Sequence, residues 1–399
     1  MEKNGSRKER KLRRRSPHQE LVIVDVDFSI KLIDYSEHYY FLFQMKALFP
    51  IVEDVGSRMN IYIKQNNKSP LEAKELAAKF TTDVVSSCIF ATDAHSFTSE
   101  KAEIREMGRK LLESSFAAPI TRTLLSAFPK LAKLLHVGLV PKSIEIFFTN
   151  LMAEAISYRE LNSIKRVDYL EHLISLKNKK EISALDMAAH GVTFFIDGFE
   201  TSSVAISFIL FELANNANVQ ATLRKELLSA SDENGNISYE SLLELPYLEQ
   251  VINETLRLWP PVAFLTKNCT EPTDLELTPT QKVRIDTEVS AMLSIWSIHR
   301  DPEIYENPLT FNPDRFSPET GGINTYREKG CFLPFGDGPR QCLGMRFARM
   351  QVKRCIYEVI KNFKITVDPK TKTPLQLDPK QFLTSALGGI WLNFESVTE

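Results

Sequence analysis

One ten-residue segment near the C-terminal end constrains this chain more than any other, because it sets a single cysteine among glycines and ahead of a predicted helix. The segment is Phe335-Gly336-Asp337-Gly338-Pro339-Arg340-Gln341-Cys342-Leu343-Gly344. Gly338 and Gly344 permit backbone turns that a side chain would block. Backbone N–H groups near the following helix favour a negatively charged sulfur, and Arg340 adds a cation two residues away. The segment therefore predicts a thiolate that binds a metal.

The spacing Phe-x-x-Gly-x-Arg-x-Cys-x-Gly resembles the haem-binding signature of the cytochrome P450 monooxygenases. Its five defined positions are matched by Phe335, Gly338, Arg340, Cys342 and Gly344. The resemblance implies that Cys342 is the axial ligand of the iron in haem b, and that Arg340 contacts a haem propionate. A thiolate ligand of this kind favours O–O bond cleavage. The alternative is a structural cysteine in a glycine-rich turn, since free cysteine is often core.

Composition indicates an ordinary globular protein, with 43% hydrophobic and 25% charged residues. The net charge of −2 gives the 399-residue chain no bias toward nucleic acid. The cysteines are odd in number, scattered and without a Cys-x-x-Cys pair, which predicts reduced thiols on the cytosolic side and no zinc site. They are Cys88, Cys269, Cys331, Cys342 and Cys355.

Two segments raise the question of membrane contact. No uninterrupted apolar run is long enough for a transmembrane helix, which takes about 18 residues or more. Residues 1–15 carry eight Lys or Arg against two Glu, which favours a solvated tail, with contact to anionic lipid or nucleic acid as the alternative. Residues 124–140 form an amphipathic pattern that suits either a membrane surface or the protein's own core.

The periodicity of the apolar residues predicts a mainly α fold with a small β portion. We expect residues 1–35 to be an atypical basic lead and residues 36–399 to be one domain. Ser69 to Glu72 reads as a capping box that opens a helix. Further helices are predicted from Ser183 to about Ala214, from about Val219, from Pro246 to Trp259, and after Cys342. Strands are predicted between Val262 and Ala291, and as a pair around Gly388-Gly389.

A second motif supports the resemblance. Glu254 and Arg257 lie three residues apart on one predicted helix face, and Phe311-Asn312-Pro313-Asp314-Arg315-Phe316 follows further along the chain. Glu-x-x-Arg alone is common, but this order ahead of the cysteine loop is typical of the family. The resemblance implies that Glu254, Arg257 and Arg315 form a structural ionic cluster behind the haem. The alternative is a surface ion pair of little energetic consequence.

A third motif lies inside the long predicted helix, at Asp197-Gly198-Phe199-Glu200-Thr201-Ser202. A glycine within a helix costs about 1 kcal/mol relative to alanine, which suggests close approach to the backbone or a bulge. The resemblance implies that Thr201 and Glu200 are catalytic residues that deliver protons beside the haem. The family usually has Ala or Gly where Asp197 stands. The alternative is a glycine that packs one helix against another, with solvated acids beside it.

The resemblance also assigns roles to residues outside these motifs. Lys267 is expected to contact a haem propionate where relatives often carry Arg, and His299 to be a hydrogen-bonding structural residue. Substrate is expected to contact an apolar set, namely Phe199, Val262, Phe264, Ala386 and Leu387. A cationic surface for an acidic reductase is expected from Arg346, Arg349, Lys353 and Arg354.

These features together resemble a microsomal cytochrome P450, similar to insect members, over roughly nine tenths of the chain. Such an enzyme inserts one oxygen atom of O2 into a small apolar substrate. Its electrons come from NADPH through a separate NADPH–cytochrome P450 reductase, at the cytosolic face of the endoplasmic reticulum membrane. The absence of a Gly-x-Gly-x-x-Gly site fits an external electron donor.

The front of the chain departs from the family and leaves other functions open. No anchor helix, proline-rich hinge or propionate-binding Trp is visible near Lys8-Glu9-Arg10-Lys11. The chain could therefore be a truncated, catalytically silent haem-binding relative, or the product of an incomplete gene model. An isomerase that needs no electrons is a third possibility, against which Thr201 argues.

Overall fold

The computed structural model describes residues 35–99, 102–112, 141–163, 166, 168–179, 183–287 and 289–397. The basic lead at residues 1–15 and the amphipathic segment at 124–140 therefore lie outside the described residues. Side chains of the first described helix are described from Met45 onward.

The described residues are mostly helical with short strands, which confirms the predicted fold class. The helices are α1 (Tyr35–Asn66), α2 (Ala73–Ile89), α3 (Glu103–Leu112), α4 (Lys142–Asn162), α5 (Tyr169–Asn178), α6 (Ala184–Asn215), α7 (Ala217–Ser229), α8 (Tyr239–Glu244), α9 (Pro246–Leu258), α10 (Ile295–Ile298), α11 (Asn324–Arg327) and α12 (Met345–Asn362). The strands are β1 (Leu71–Glu72), β2 (Phe264–Asn268), β3 (Thr273–Thr278), β4 (Gln281–Ile285), β5 (Ser290–Ser294), β6 (Phe363–Val367) and β7 (Trp391–Ser396).

The strands form small antiparallel sheets at the edges of the helical body. Strand β7 lies between β1 and β6, and its Leu392 pairs with Leu71 on one side and Val367 on the other. Strand β2 pairs with β5, and β3 pairs with β4. The predicted strand pair around Gly388-Gly389 is wrong. Both glycines have left-handed φ angles of +91° and +82°, which turn the chain before β7, so β7 pairs with distant strands instead.

The start of α2 also differs from the prediction. Leu71 and Glu72 pair with β7, so the chain is extended at the point where the capping box would begin a helix. The helix starts at Ala73, and the Glu72 carboxylate caps it by accepting a hydrogen bond of 2.5 Å from the Glu75 N–H. Tertiary pairing has therefore overridden a local helix signal by three residues.

The predicted start of α6 is confirmed by a reciprocal capping box. The Asp186 N–H donates to Ser183 Oγ at 3.1 Å, and the Ser183 N–H donates to the Asp186 carboxylate at 2.8 Å. The helix then continues for 32 residues. Asp186–Asn215 is the one helix of the described residues that is long and apolar enough to cross a membrane, yet most of its apolar window is buried within the protein, as in a core helix.

Helix α6 connects two hydrophobic clusters. Its N-terminal half, up to Phe199, packs with α4, α5 and the C-terminal end of α2. Its C-terminal half, from Val204, packs with α1, α2, α9 and α12. The polar residues Glu200 to Ser203 lie between the two clusters, and none of them belongs to either cluster. This run of four polar residues at the centre of a largely apolar helix therefore indicates contacts other than hydrophobic packing.

Helix α4 offers a matched test of the second cluster. Ile144 is 2% exposed and belongs to that cluster, whereas Ile146 on the same helix is 51% exposed. We expect Ile144→Ala to lower the free energy of unfolding by about 2–5 kcal/mol, because it deletes buried methyl groups and leaves a cavity. Ile146→Ala should stay within about 0.5 kcal/mol of the parent. Urea titration of both variants measures the difference, and equal effects would contradict the packing described here.

Candidate active site

The cysteine loop is a closed turn held by its own backbone. The Cys342 N–H donates to the Phe335 carbonyl at 2.9 Å, and the Gln341 N–H donates to the Gly338 carbonyl at 3.0 Å. Gly336 and Gly338 have left-handed φ angles of +69° and +73°, which favour glycine. The expectation for Gly338 is thus met. Gly344 differs, because its φ of −79° is open to any residue, and it is the N-cap residue that precedes the start of α12 at Met345.

The Cys342 side chain is exposed at the end of this turn. Protein on either side still desolvates the thiol and raises its pKa, while a hydrogen bond from the Gly344 N–H lowers it and the charge of Asp197 raises it. The predicted N–H support at the helix start is therefore present, but desolvation outweighs it. A bound metal cation would supply the further stabilisation that the thiolate needs.

The surface beside Cys342 is bare enough to receive a flat macrocycle. A Cβ atom added at Gly338 or Gly344 would meet nothing within 4 Å, whereas one added at Gly336 would contact Leu265 of β2 at 3.7 Å. Lys267 is exposed and alternates onto the same face of β2 as Leu265. Arg340 is also exposed. An open sulfur, side-chain-free backbone and nearby cations fit a haem and its two propionates.

A buried ionic cluster lies behind the loop. Arg257 Nε and Nη2 each donate to a different carboxylate oxygen of Glu254 at 2.8 Å, and Arg315 Nε lies 3.4 Å from the same carboxylate. The side chains of Glu254 and Arg257 are fully buried, and that of Arg315 is 8% exposed. Arg257 Nη1 also donates to the carbonyls of His299 and Pro308, at 2.7 and 2.8 Å. The geometry matches the predicted structural cluster and excludes the surface ion pair.

Two aromatic residues connect this cluster to the segment that leads into the cysteine loop. The Tyr305 ring lies under both guanidinium groups, with the Arg257 and Arg315 Cζ atoms 5.1 and 5.8 Å from its centre, and its hydroxyl donates to the Cys331 carbonyl at 2.8 Å. His299 Nε2 accepts a hydrogen bond of 2.9 Å from the Leu333 N–H. Burial, reinforced by the charge of Arg257, lowers the pKa of His299 to about 3, so the ring is neutral and acts as this acceptor.

Helix α6 presents different residues to different neighbours around Gly198. A Cβ at Gly198 would lie 3.3 Å from Val85 of α2, so this glycine allows close helix packing, and α6 is helical throughout with no bulge. Of the two expectations for Gly198, close approach to its backbone is therefore observed, with Val85 as the neighbour, and a bulge is not. Thr201 Oγ1 donates to the Asp197 carbonyl at 2.6 Å. Glu200 turns aside, is buried, and forms an ion pair of 2.8 Å with Lys74 Nζ.

A polar cavity of about 190 Å³ lies on the Glu200 side of the helix. Arg109 and Gln381 line it and are exposed, whereas Glu200 lines it and is buried. The remaining lining side chains all carry charge, namely Glu72, Lys74, Glu75 and Arg105. The cavity therefore leads from the protein surface to the buried carboxylate that neighbours Thr201.

The expected substrate contacts divide in two. The prediction that Phe199 contacts substrate is wrong for this structure. Its side chain is fully buried and packs against Phe195, with the two ring centres 4.9 Å apart. The side chains of the other four are half-buried or exposed. They lie on two chain segments that a backbone hydrogen bond joins, because the Thr384 N–H donates to the Pro261 carbonyl at 3.0 Å. These four are Val262, Phe264, Ala386 and Leu387.

The expected cationic surface is mostly wrong, because three of its four members are internal ion-pair partners. Lys353 is 1% exposed and lies 2.9 Å from Glu249, which Arg349 also contacts. Arg354 is 4% exposed and pairs with Glu53 and Glu358. Only Arg346 is exposed. Their spacing along α12 predicted a charged face but carried no sign of the acidic partners on other elements.

Two functional contacts were not predicted from sequence. Gln351 of α12 is fully buried, and its Nε2 donates to the Gly198 carbonyl at 2.9 Å and to Ser202 Oγ at 2.7 Å. This amide fixes the helix that follows Cys342 to the helix that carries Thr201. Lys74, the partner of Glu200, was also missed. The sequence around Gln351 or Lys74 gives no sign of these contacts, because the contacting residue lies more than a hundred positions away in the chain.

Comparison with known proteins agrees with this geometry. The sequence model of the family described as Cytochrome P450 matches residues 38–392. The chain is 39% identical over 367 residues to Probable cytochrome P450 6a21 of Drosophila melanogaster, a match that covers 89% of this chain and 72% of that protein. It is 34% identical over 365 residues to Cytochrome P450 6A1 of Musca domestica, with 89% and 71% covered. It is also 34% identical over 357 residues to Probable cytochrome P450 28d1 of Drosophila melanogaster, with 88% and 70% covered.

The chain belongs to the cytochrome P450 family. Membership makes it a monooxygenase whose cofactor is haem with a thiolate-ligated iron, and which uses oxygen, a substrate and a redox partner. Its similarity is to insect members of the family, as the sequence predicts.

The ionic cluster generates a prediction about haem content. Arg257→Ala leaves the buried Glu254 carboxylate with Arg315 as its one remaining cation and the Asn312 N–H as a further donor, and it frees the carbonyls of His299 and Pro308. Breaking a buried ion pair in this way costs about 3–5 kcal/mol. We expect little haem-loaded protein on expression, measured as the ratio of haem to polypeptide.

The matched control for Arg257→Ala is Arg284→Ala. Arg284 also pairs with a carboxylate, Asp274 at 3.4 Å, but its side chain is 61% exposed. An exposed pair contributes about 1 kcal/mol or less, so haem content should not change. Normal haem content in Arg257→Ala would contradict a structural role for the cluster.

Proposed function

We propose that the chain is a microsomal haem-thiolate monooxygenase that oxidises small apolar molecules, with Cys342 as its axial ligand. The observation that carries this proposal is the exposed sulfur on a closed turn, with bare backbone at Gly338 and Gly344 beside it and α6 near enough for the charge of Asp197 to act on the thiol. When bound, the haem supplies O2 activation for insertion of one oxygen atom into a C–H bond. In this proposal Lys267 and Arg340 hold the propionates of haem b.

The protein's own residues then perform two tasks. Val262, Phe264, Ala386 and Leu387 hold the apolar substrate and exclude water from it. Glu200 and Thr201 move protons, and the charged cavity that reaches exposed Arg109 and Gln381 is the route from solvent. The Glu200 carboxylate takes up a proton at this cavity when it separates from Lys74. Because adjacent positions of a helix point in different directions, the proton then reaches Thr201 Oγ1 through a bridging water rather than by direct contact.

The proposed electron source is NADPH, through a separate NADPH–cytochrome P450 reductase. Arg346 at the start of α12 is the exposed cation that supports an acidic partner on this side of the molecule. The proposed location is the endoplasmic reticulum membrane, on its cytosolic face, by analogy with microsomal relatives and with peripheral contact to the lipid.

Thr201 provides the test of this mechanism. In a mixture of the haem-loaded chain, excess reductase, NADPH and an alkoxycoumarin, we expect dealkylated product from the parent protein. Thr201→Ala should keep haem and bind the probe, because only a hydroxyl and a methyl group are lost. Proton delivery should slow, so reducing equivalents escape to hydrogen peroxide and the ratio of product to NADPH consumed should fall several-fold.

Thr193→Ala is the matched control for Thr201→Ala. The Thr193 hydroxyl donates to the Ala189 carbonyl at 2.9 Å, the same bond to the preceding turn that Thr201 makes, but about two turns of α6 away. Its product ratio should match the parent. A ratio in Thr201→Ala equal to that of Thr193→Ala would remove Thr201 from proton delivery, and no product from the parent would favour the catalytically silent alternative.

A further inference from the structure

One face of α6, beside Cys342, takes no part in the packing contacts that the helix makes with its neighbours. Gly198 faces Val85 of α2, and Ser202 accepts the hydrogen bond from Gln351 of α12. Phe199 and Glu200 turn toward the buried aromatic cluster and toward Lys74. Asp197 and Thr201 remain, and they share a face because they lie four residues apart.

Asp197 is an acidic side chain on this face without a compensating cation. Its side chain is exposed, and among the described residues no Lys, Arg or His forms an ion pair with it. Surrounding protein desolvates the carboxylate and raises its pKa to about 6, and its charge in turn acts on the Cys342 thiol. The other acids of the site are paired, since Glu200 has Lys74 and Glu254 has two arginines.

Asp197 therefore presents an exposed carboxylate beside Cys342 that forms no ion pair within the described residues, and a positively charged ligand would supply its partner. The apolar residues proposed to hold substrate could accommodate a hydrocarbon body, but none of them can neutralise an ammonium group. A metal ion is a poor match, because one carboxylate is too few ligands for a hard cation. An amine joined to an apolar body would pair with the carboxylate through its charge and suit the proposed apolar substrate residues through its hydrocarbon part.

We propose that Asp197 is a specificity-determining residue that selects substrates carrying a cationic amine on an apolar body. The proposal rests on the proposed function, because the substrate is assumed to lie on the α6 side of a haem held by Cys342. In this proposal Asp197 pairs with the ammonium group, and the apolar body is left to the residues proposed above to hold substrate, among them Val262 and Ala386.

The test uses a matched pair of probes, a phenylalkyl trimethylammonium ion and its carbon isostere, in which a tert-butyl group replaces the charged head. The quaternary nitrogen has no lone pair, so it cannot bind iron, and its charge does not change with pH. Dissociation constants of both probes are measured on the haem-loaded chain by calorimetry. We expect the cation to bind about tenfold more tightly or better, which corresponds to one charge-assisted contact of about 1.4 kcal/mol.

Two variants then assign the preference to Asp197. Asp197→Asn keeps the shape and should remove the preference for the cation while leaving the affinity for the isostere unchanged. Asp197→Glu should retain part of the preference, because the charge is kept. Asp274→Asn, which removes an exposed carboxylate far along the chain in β3, should behave as the parent.

The outcomes separate this inference from the function on which it rests. Equal affinity of the parent protein for the two probes would overturn the role of Asp197 and leave the monooxygenase proposal standing, as would a preference that survives Asp197→Asn. A purified chain that takes up no haem would overturn both. The comparison of probes on the parent protein decides the matter even if Asp197→Asn fails to fold.

Discussion

The bidentate pair between Glu254 and Arg257 is the interaction on which the rest of this site depends. Both side chains are fully buried, so neither charge can be left without the other. Arg257 uses its remaining N–H groups on carbonyls of the chain that leads toward the cysteine loop, and His299 and Tyr305 bond the backbone at Leu333 and Cys331. A single ion pair thereby fixes the irregular segment that ends at Cys342, which no regular secondary structure could hold in place.

Helix α6 lies on the other side of the site from the cysteine loop, and its residues have different roles there. Apolar residues on either side of the Glu200–Ser203 stretch belong to separate core clusters, so a polar centre is tolerated where the clusters meet. Within that centre, Gln351 bonds Gly198 and Ser202 and thus joins α6 directly to the helix that follows Cys342. The two sides of the site are therefore positioned by one buried amide and one buried ion pair rather than by loops.

The sequence was sufficient for those features that local chemistry decides. The capping box at Ser183 started α6 as predicted, and Gly338 needed the left-handed backbone that its position suggested. Prediction from the sequence failed for features that depend on residues distant in the chain. Strand pairing with β7 moved the start of α2, and acids on other elements neutralised Lys353 and Arg354, which the spacing along α12 had assigned to the surface. Phe199 was wrongly predicted to contact substrate for the same reason, because helices packed around α6 bury its side chain.

The most direct test of this account is the carbon-monoxide difference spectrum of the reduced, purified chain. The account predicts a thiolate-type Soret band for the parent protein and for Cys331→Ser, whose cysteine is half-buried near the same loop. Cys342→Ser should lose that band, because an alcohol oxygen replaces the only sulfur on the closed turn. A thiolate-type band that survives in Cys342→Ser, or the absence of bound haem in the parent chain, would contradict the central claim that Cys342 holds the haem iron.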